Sequence, residues 1–175
     1  MLALYDAWAA ILAFIESGGP ILLVIATMTF VMWTLLFERF WFYKGSLNRT
    51  VNDALNAWEE RAERKSWNAH QIRRGMISVV NEKINANLEL IATMVALCPL
   101  LGLLGTVTGM IEVFNVLALT GGGDAKSMAS GVSRATIPTM AGMVAAISGV
   151  FGTTLVNQIA TRESQLLEDH LTMDH

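Results

Sequence analysis

Hydrophobic and polar positions in this 175-residue chain are segregated into blocks. Three blocks contain no Asp, Glu, Lys or Arg: residues 17–37, 90–111 and 135–161. Each reaches or exceeds the roughly 20 residues that carry a helix across about 30 Å of hydrocarbon. The pattern predicts an all-α membrane protein with three transmembrane helices.

The intervening segments keep a helical period. Leu47, Val51, Leu55 and Trp58 recur at steps of three and four, with polar residues between them. A second stripe, Ile72, Met76, Val79 or Val80, Ile84, Leu88 and Ile91, is expected to run without a break into the second span. Leu166, Leu167 and Leu171 continue the third span in the same way. The membrane helices are therefore predicted to extend into a polar bundle. The expected division is an N-terminal interfacial segment at 1–17, spans at 18–38, 90–114 and 135–160, a helical loop at 39–89, a short loop at 115–134 and a tail at 161–175. Residues 1–16, with Tyr5, Trp8 and Phe14, read as a short amphipathic helix or as the first turns leading into span one. Pro20, after Gly18-Gly19, suits the first turn of a new helix.

Charge sets the orientation. Nine of the twelve Lys and Arg residues fall between spans one and two, and none precedes Arg39. By the positive-inside rule the N-terminus and the 115–134 loop face outward, and the long loop and tail face the cytoplasm. The missing basic start also argues against a cleaved signal peptide. Hydrophobic residues make up 53% of the chain and charged ones 15%, which leaves no room for a separate soluble core. A net charge of -3, with basic and acidic residues interleaved, gives no nucleic-acid footprint.

Within the spans the small and polar residues are regularly placed. Gly102, Gly105 and Gly109, with Thr106 beside them, mark span two; Thr139, Gly142, Ala146, Gly149 and Thr153 mark span three. Such stripes let helix backbones approach closely, so Gly102, Gly105, Gly109, Gly142, Ala146 and Gly149 are expected to serve helix packing. If the two spans turn back on each other near Gly122–Gly123, Thr106 and Thr139 lie at matching depth, as do Glu112 and Arg134. The threonines would make a hydroxyl level suited to lining a path for protons or water, or would only bond to the backbone one turn earlier. Glu112 and Arg134 are expected to form an ion pair or to reach the interface. No other carboxylate lies in spans two and three, so a titrating group at mid-membrane would have to come from another chain.

Other chemistry finds little support. His70, His170 and His175 lie outside the spans without a partner at metal-ligand spacing. No serine sits in a nucleophile elbow. Gly121-Gly122-Gly123-Asp124, with Lys126-Ser127, lacks the glycine that a phosphate-binding loop places before its lysine. The single Cys98 builds no disulfide framework. The expectation is no enzyme, no cofactor and no metal.

The stretch Pro99-Leu100-Leu101-Gly102-Leu103-Leu104-Gly105-Thr106-Val107-Thr108-Gly109-Met110-Ile111, followed by Ala135-Thr136-Ile137-Pro138-Thr139-Met140-Ala141-Gly142-Met143-Val144-Ala145-Ala146-Ile147, resembles the ExbB/TolQ/MotA family, most closely its ExbB branch. The resemblance implies a homo-oligomer, a pentamer, in the bacterial inner membrane, with spans two and three lining a central lumen. Thr106 and Thr139 would match the family's lumen-facing threonines. An ExbD-like single-span protein would stand in the lumen and supply the proton-carrying Asp, with a TonB-like protein outside the bundle. The complex would use the proton gradient to energise outer-membrane import of iron carriers and vitamin B12. Where many members carry Glu at the start of span three this chain has Arg134, so that Glu's part in proton entry does not transfer. A TolQ-like role in envelope maintenance, and a passive scaffold using the stripes only for packing, are the alternatives.

Overall fold

The computed structural model describes Tyr5, Ala9 and residues 18–60, 66–120 and 125–170. The helical reading of residues 1–16 falls outside these, apart from Tyr5 and Ala9. Helix α1 spans Gly19–Trp41 and passes through a π-helical turn, Phe42–Ser46, into α2, Leu47–Glu59. Helix α3 spans Trp67–Asn85, α4 spans Leu88–Thr120 and α5 spans Ala125–His170. Among the described residues three helical stretches are long and apolar enough to cross a membrane: Gly19–Glu59, Trp67–Leu119 and Met128–Asp169. The three-span, all-α expectation stands.

Local chemistry explains the helix ends. Pro20 occupies the first turn of α1, where its missing N–H costs nothing. Gly19 before it has φ +67, a conformation that a side chain resists. Ser66 caps α3 by accepting a 3.2 Å hydrogen bond from the Ala69 N–H. Pro138 lies well inside α5 and does not begin it.

The chain divides into two compact units. The first contains residues up to Trp33 together with Thr93–Val150. Its core is built from Ile25, Cys98, Ala145 and Ala146, with Ile21, Leu101 and Ala141 packed against them. Many large apolar side chains of this unit point outward, among them Phe30, Leu100, Leu103, Phe114 and Val144. In a chain with three membrane-spanning helices these faces meet lipid or another protein.

The second unit contains Thr34–Ala92 and Phe151–His175. Leu47, Trp58, Ala69, Ile77, Val80, Ile84, Val156 and Leu167 are buried in it. Arg39 is buried too, at 7% exposure. Its Nε and Nη2 donate to the Glu38 carboxylate at 2.9 and 2.8 Å, and its Nη1 donates to the Lys83 carbonyl at 3.1 Å. The Ser164 hydroxyl donates to Oδ1 of Asn81 at 2.7 Å, tying the end of α5 to α3.

Two expectations are corrected here. The second apolar stripe does not run unbroken into span two, because the helix stops at Ala86–Asn87, where Asn87 takes φ +63. Asn is one of the few side-chain-bearing residues that enters the left-handed region at low cost, and it closes α3 as glycine often does. The expected stripe is covered only in part, with Val80 and Ile84 buried as its spacing predicts. Ile72 is exposed at 36%, and Ala69 and Ile77, which the stripe leaves out, are buried instead.

Candidate functional site

The site is built where α4 and α5 cross in the first unit. Each glycine of the two stripes faces the other helix at a distance that excludes a Cβ. A methyl group on Gly102 would lie 2.9 Å from the Pro138 carbonyl oxygen and the Thr139 Cα. On Gly105 it would collide with the Pro138 ring, and on Gly109 it would meet the Ala135 Cβ at 2.8 Å. On Gly142 it would lie 2.5 Å from the Cys98 carbonyl oxygen and 3.2 Å from the Gly102 Cα. Gly149 faces Val95 and Met32, and Gly131 faces Val113.

These contacts form a ladder: Val95 with Gly149, Gly102 with Gly142, Gly105 with Pro138, Gly109 with Ala135, Val113 with Gly131. Numbers rise on one helix as they fall on the other, so the helices are antiparallel through the seam. Thr106 follows Gly105, and Thr139 follows Pro138, so the two threonines lie within about one residue of the same level. Ala146 is buried in the apolar core below them.

The two hydroxyls are not equivalent. That of Thr139 crosses the seam and donates to the Gly102 carbonyl at 2.9 Å. That of Thr106 donates to the Leu103 carbonyl of its own helix at 2.7 Å and stays partly exposed. Thr106 thus holds no second helix, and its hydroxyl can turn toward whatever adjoins α4. Thr108, which stripe spacing alone does not single out, donates to the Leu104 and Gly105 carbonyls at 3.0 and 3.1 Å. The signal that could have found it is a second threonine two positions from Thr106.

Glu112 and Arg134 meet in a different way. Both are exposed, and both line a cavity of about 540 Å³ that the start of α1, α4 and α5 enclose. Arg39 and Glu38 form an ion pair at 2.8 Å, whereas Glu112 and Arg134 share the cavity without closing one. Gly105, Thr108, Gly109 and Pro138 also line it, so the cavity reaches down to the rung that carries Thr106 and Thr139.

With this geometry in place, comparison with known proteins is informative. The chain is 33% identical over 163 residues to an ExbB-like biopolymer transport protein of Synechocystis, covering 75% of this chain and 64% of that protein. It is 39% identical over 90 residues to the biopolymer transport protein exbB1 of Vibrio cholerae, covering 51% and 40% of the two chains. It is 33% identical over 99 residues to the Tol-Pal system protein TolQ of Pseudomonas aeruginosa, covering 57% and 42%. The chain thus spans less than two thirds of the length of these curated relatives. The MotA/TolQ/ExbB proton channel family matches residues 43–169, which include α4 and nearly all of α5. The chain belongs to the MotA/TolQ/ExbB proton channel family.

Proposed function

We propose that this chain is the proton-motive-force-driven motor subunit of a TonB–ExbB–ExbD-type complex, energising outer-membrane import of iron carriers and vitamin B12. The observation that carries the reading is the α4–α5 seam. It places two hydroxyls at one level, and within 90–111 and 135–161 there is no acid to titrate. A polar level without its own proton carrier suits a wall whose acid arrives on a partner. In this reading the chain assembles as a homopentamer in the inner membrane with its N-terminus outside. An ExbD-like helix stands in the lumen beside Thr106, and a TonB-like protein docks outside the bundle. Each charge that crosses the membrane potential releases about 2.3 kcal/mol per 100 mV, so a few protons suffice to drive a conformational step.

The experiment follows from the inequality of the threonines. Thr106→Val removes a hydroxyl that bonds only within α4, so it leaves the seam intact. A motor loses proton uptake and client import in that variant while the oligomer with its partner persists. Unchanged uptake and import would reduce the chain to a scaffold. The likeness to TolQ supports a second client, envelope maintenance with the same proton chemistry. Complementation separates the two: growth on iron carriers in a host lacking its ExbB, against detergent resistance in a host lacking its TolQ.

A further inference from the structure

The cavity shared by Glu112 and Arg134 has a composition unlike the rest of the first unit. Ile21, Val113, Val116, Leu117 and Met128 give it apolar walls. Two charges of opposite sign stand on it, one carboxylate and one guanidinium, without an ion pair between them. Its volume of about 540 Å³ falls in the range that holds a small ligand. It lies at the first residues of α1 and the outer ends of the charge-free blocks 90–111 and 135–161, with Glu112 and Arg134 one residue beyond them. In a membrane this is the level where hydrocarbon gives way to headgroups.

We propose that this cavity binds the headgroup of an aminophospholipid, with its phosphate on Arg134 and its primary ammonium on Glu112. A guanidinium fork matches phosphate oxygens in a bidentate way, and a carboxylate accepts from an ammonium. An anionic lipid without an amine would leave Glu112 facing its phosphate, like charge on like. A choline headgroup has no N–H to donate to the carboxylate. Only a phosphate with a primary amine satisfies both residues, and the apolar walls take the glycerol end and first methylenes. The proposal deepens the reading above by naming what fills the seam's outer end. It rests on that reading for the side of the membrane alone.

The test measures lipid retention and involves no proton flux, so its failure is distinct from failure of the motor. The complete complex, purified in detergent, is exchanged into phosphatidylethanolamine, phosphatidylglycerol or phosphatidylcholine of identical chains and weighed intact by native mass spectrometry. The expected result is retention of phosphatidylethanolamine over both others by roughly tenfold, as loss of one charged hydrogen-bonding partner predicts. Glu112→Gln should abolish the preference for the amine, and Arg134→Gln should lower retention of all three lipids. Both residues are exposed, so the variants keep the same oligomer mass, which the same spectra record. Equal retention of the three lipids would overturn the proposal, as would an unchanged preference in Glu112→Gln. So would cross-linking of Val116→Cys to a second copy of the chain or to residues 1–17 with no lipid bound, because the cavity would then be filled by protein.

Discussion

The phenol of Tyr43 donates a 2.8 Å hydrogen bond to the carbonyl of Ile84. Arg39 donates to the neighbouring Lys83 carbonyl at 3.1 Å, with its guanidinium 5.0 Å from the centre of the Phe42 ring. These carbonyls belong to the last turn of α3, where no further helical N–H is available to them. Two side chains from the far end of α1 and its π-helical turn therefore finish α3 from outside. The break at Ala86–Asn87 is held open by the same pair.

Tyr43→Phe should cost about 1–2 kcal/mol, because a buried carbonyl loses its donor while the ring still packs. Arg39→Met should cost more, since it strips the other carbonyl and leaves Glu38 without its bidentate partner. Thermal unfolding in detergent checks the order, and amide exchange across 84–91 locates the effect. Equal behaviour of wild type and Tyr43→Phe would remove the phenol from this role.

The glycines divide by sign. Gly142→Ala brings a methyl against the Cys98 carbonyl and the Gly102 Cα, backbone atoms that cannot give way cheaply. A loss of about 1–3 kcal/mol is expected, as for other overpacked sites. Around Gly75, in α3, a methyl would meet nothing within 4 Å, so Gly75→Ala should gain about 0.5–1 kcal/mol from helix propensity alone. Paired melting curves test both; loss of stability in Gly75→Ala would contradict the open site.

Asn87 gives a third sign test. Its φ of +63 penalises any residue with an ordinary Cβ, so Asn87→Ala should destabilise by about 1–2 kcal/mol. Asn87→Gly should stay near wild type, because glycine enters this conformation freely. If Asn87→Ala were the more stable variant, α3 and α4 would be one continuous helix in the membrane-bound protein.

How far this was legible in the sequence depends on whether local chemistry decided it. Charge-free runs of sufficient length fix membrane helices, so α1, α4 and α5 could be read from spacing and charge. The antiparallel register could be read from distance to Gly121-Gly122-Gly123, and the observed ladder departs from it by about a residue. The Ala86–Asn87 break could not, because the apolar stripe passes across it. What opens it is capping by Arg39 and Tyr43, side chains more than forty positions away. Arg39 itself reads as an interfacial flank of span one, whereas Glu38, Phe42 and the Lys83 carbonyl surround it closely enough to bury it. The exposure of Ile72 was hidden for the same reason: α2 and α5 select which face of α3 is covered. Equal distance from the turn puts Glu112 and Arg134 at one depth, but depth does not determine whether two exposed side chains close on each other or on a third group.

The last prediction separates Thr139 from Thr106, which sequence reading treats as a pair. Thr139→Val deletes a hydrogen bond between helices, and such bonds within membranes contribute about 0.6 kcal/mol on average. Thr139→Ser keeps the hydroxyl and should restore both stability and the bond to Gly102. Thr106→Val deletes a bond made within one helix and should leave thermal stability within about 0.5 kcal/mol of wild type. If both positions serve a proton path, both valine variants lose proton uptake, but only Thr139→Val also loses stability. Melting curves read beside proton uptake in vesicles, with the partner co-expressed, resolve four outcomes. Loss of uptake in Thr106→Val at unchanged stability is the one that assigns that hydroxyl to transport. Loss confined to Thr139→Val, rescued by serine in proportion to stability, would assign Thr139 to holding the seam.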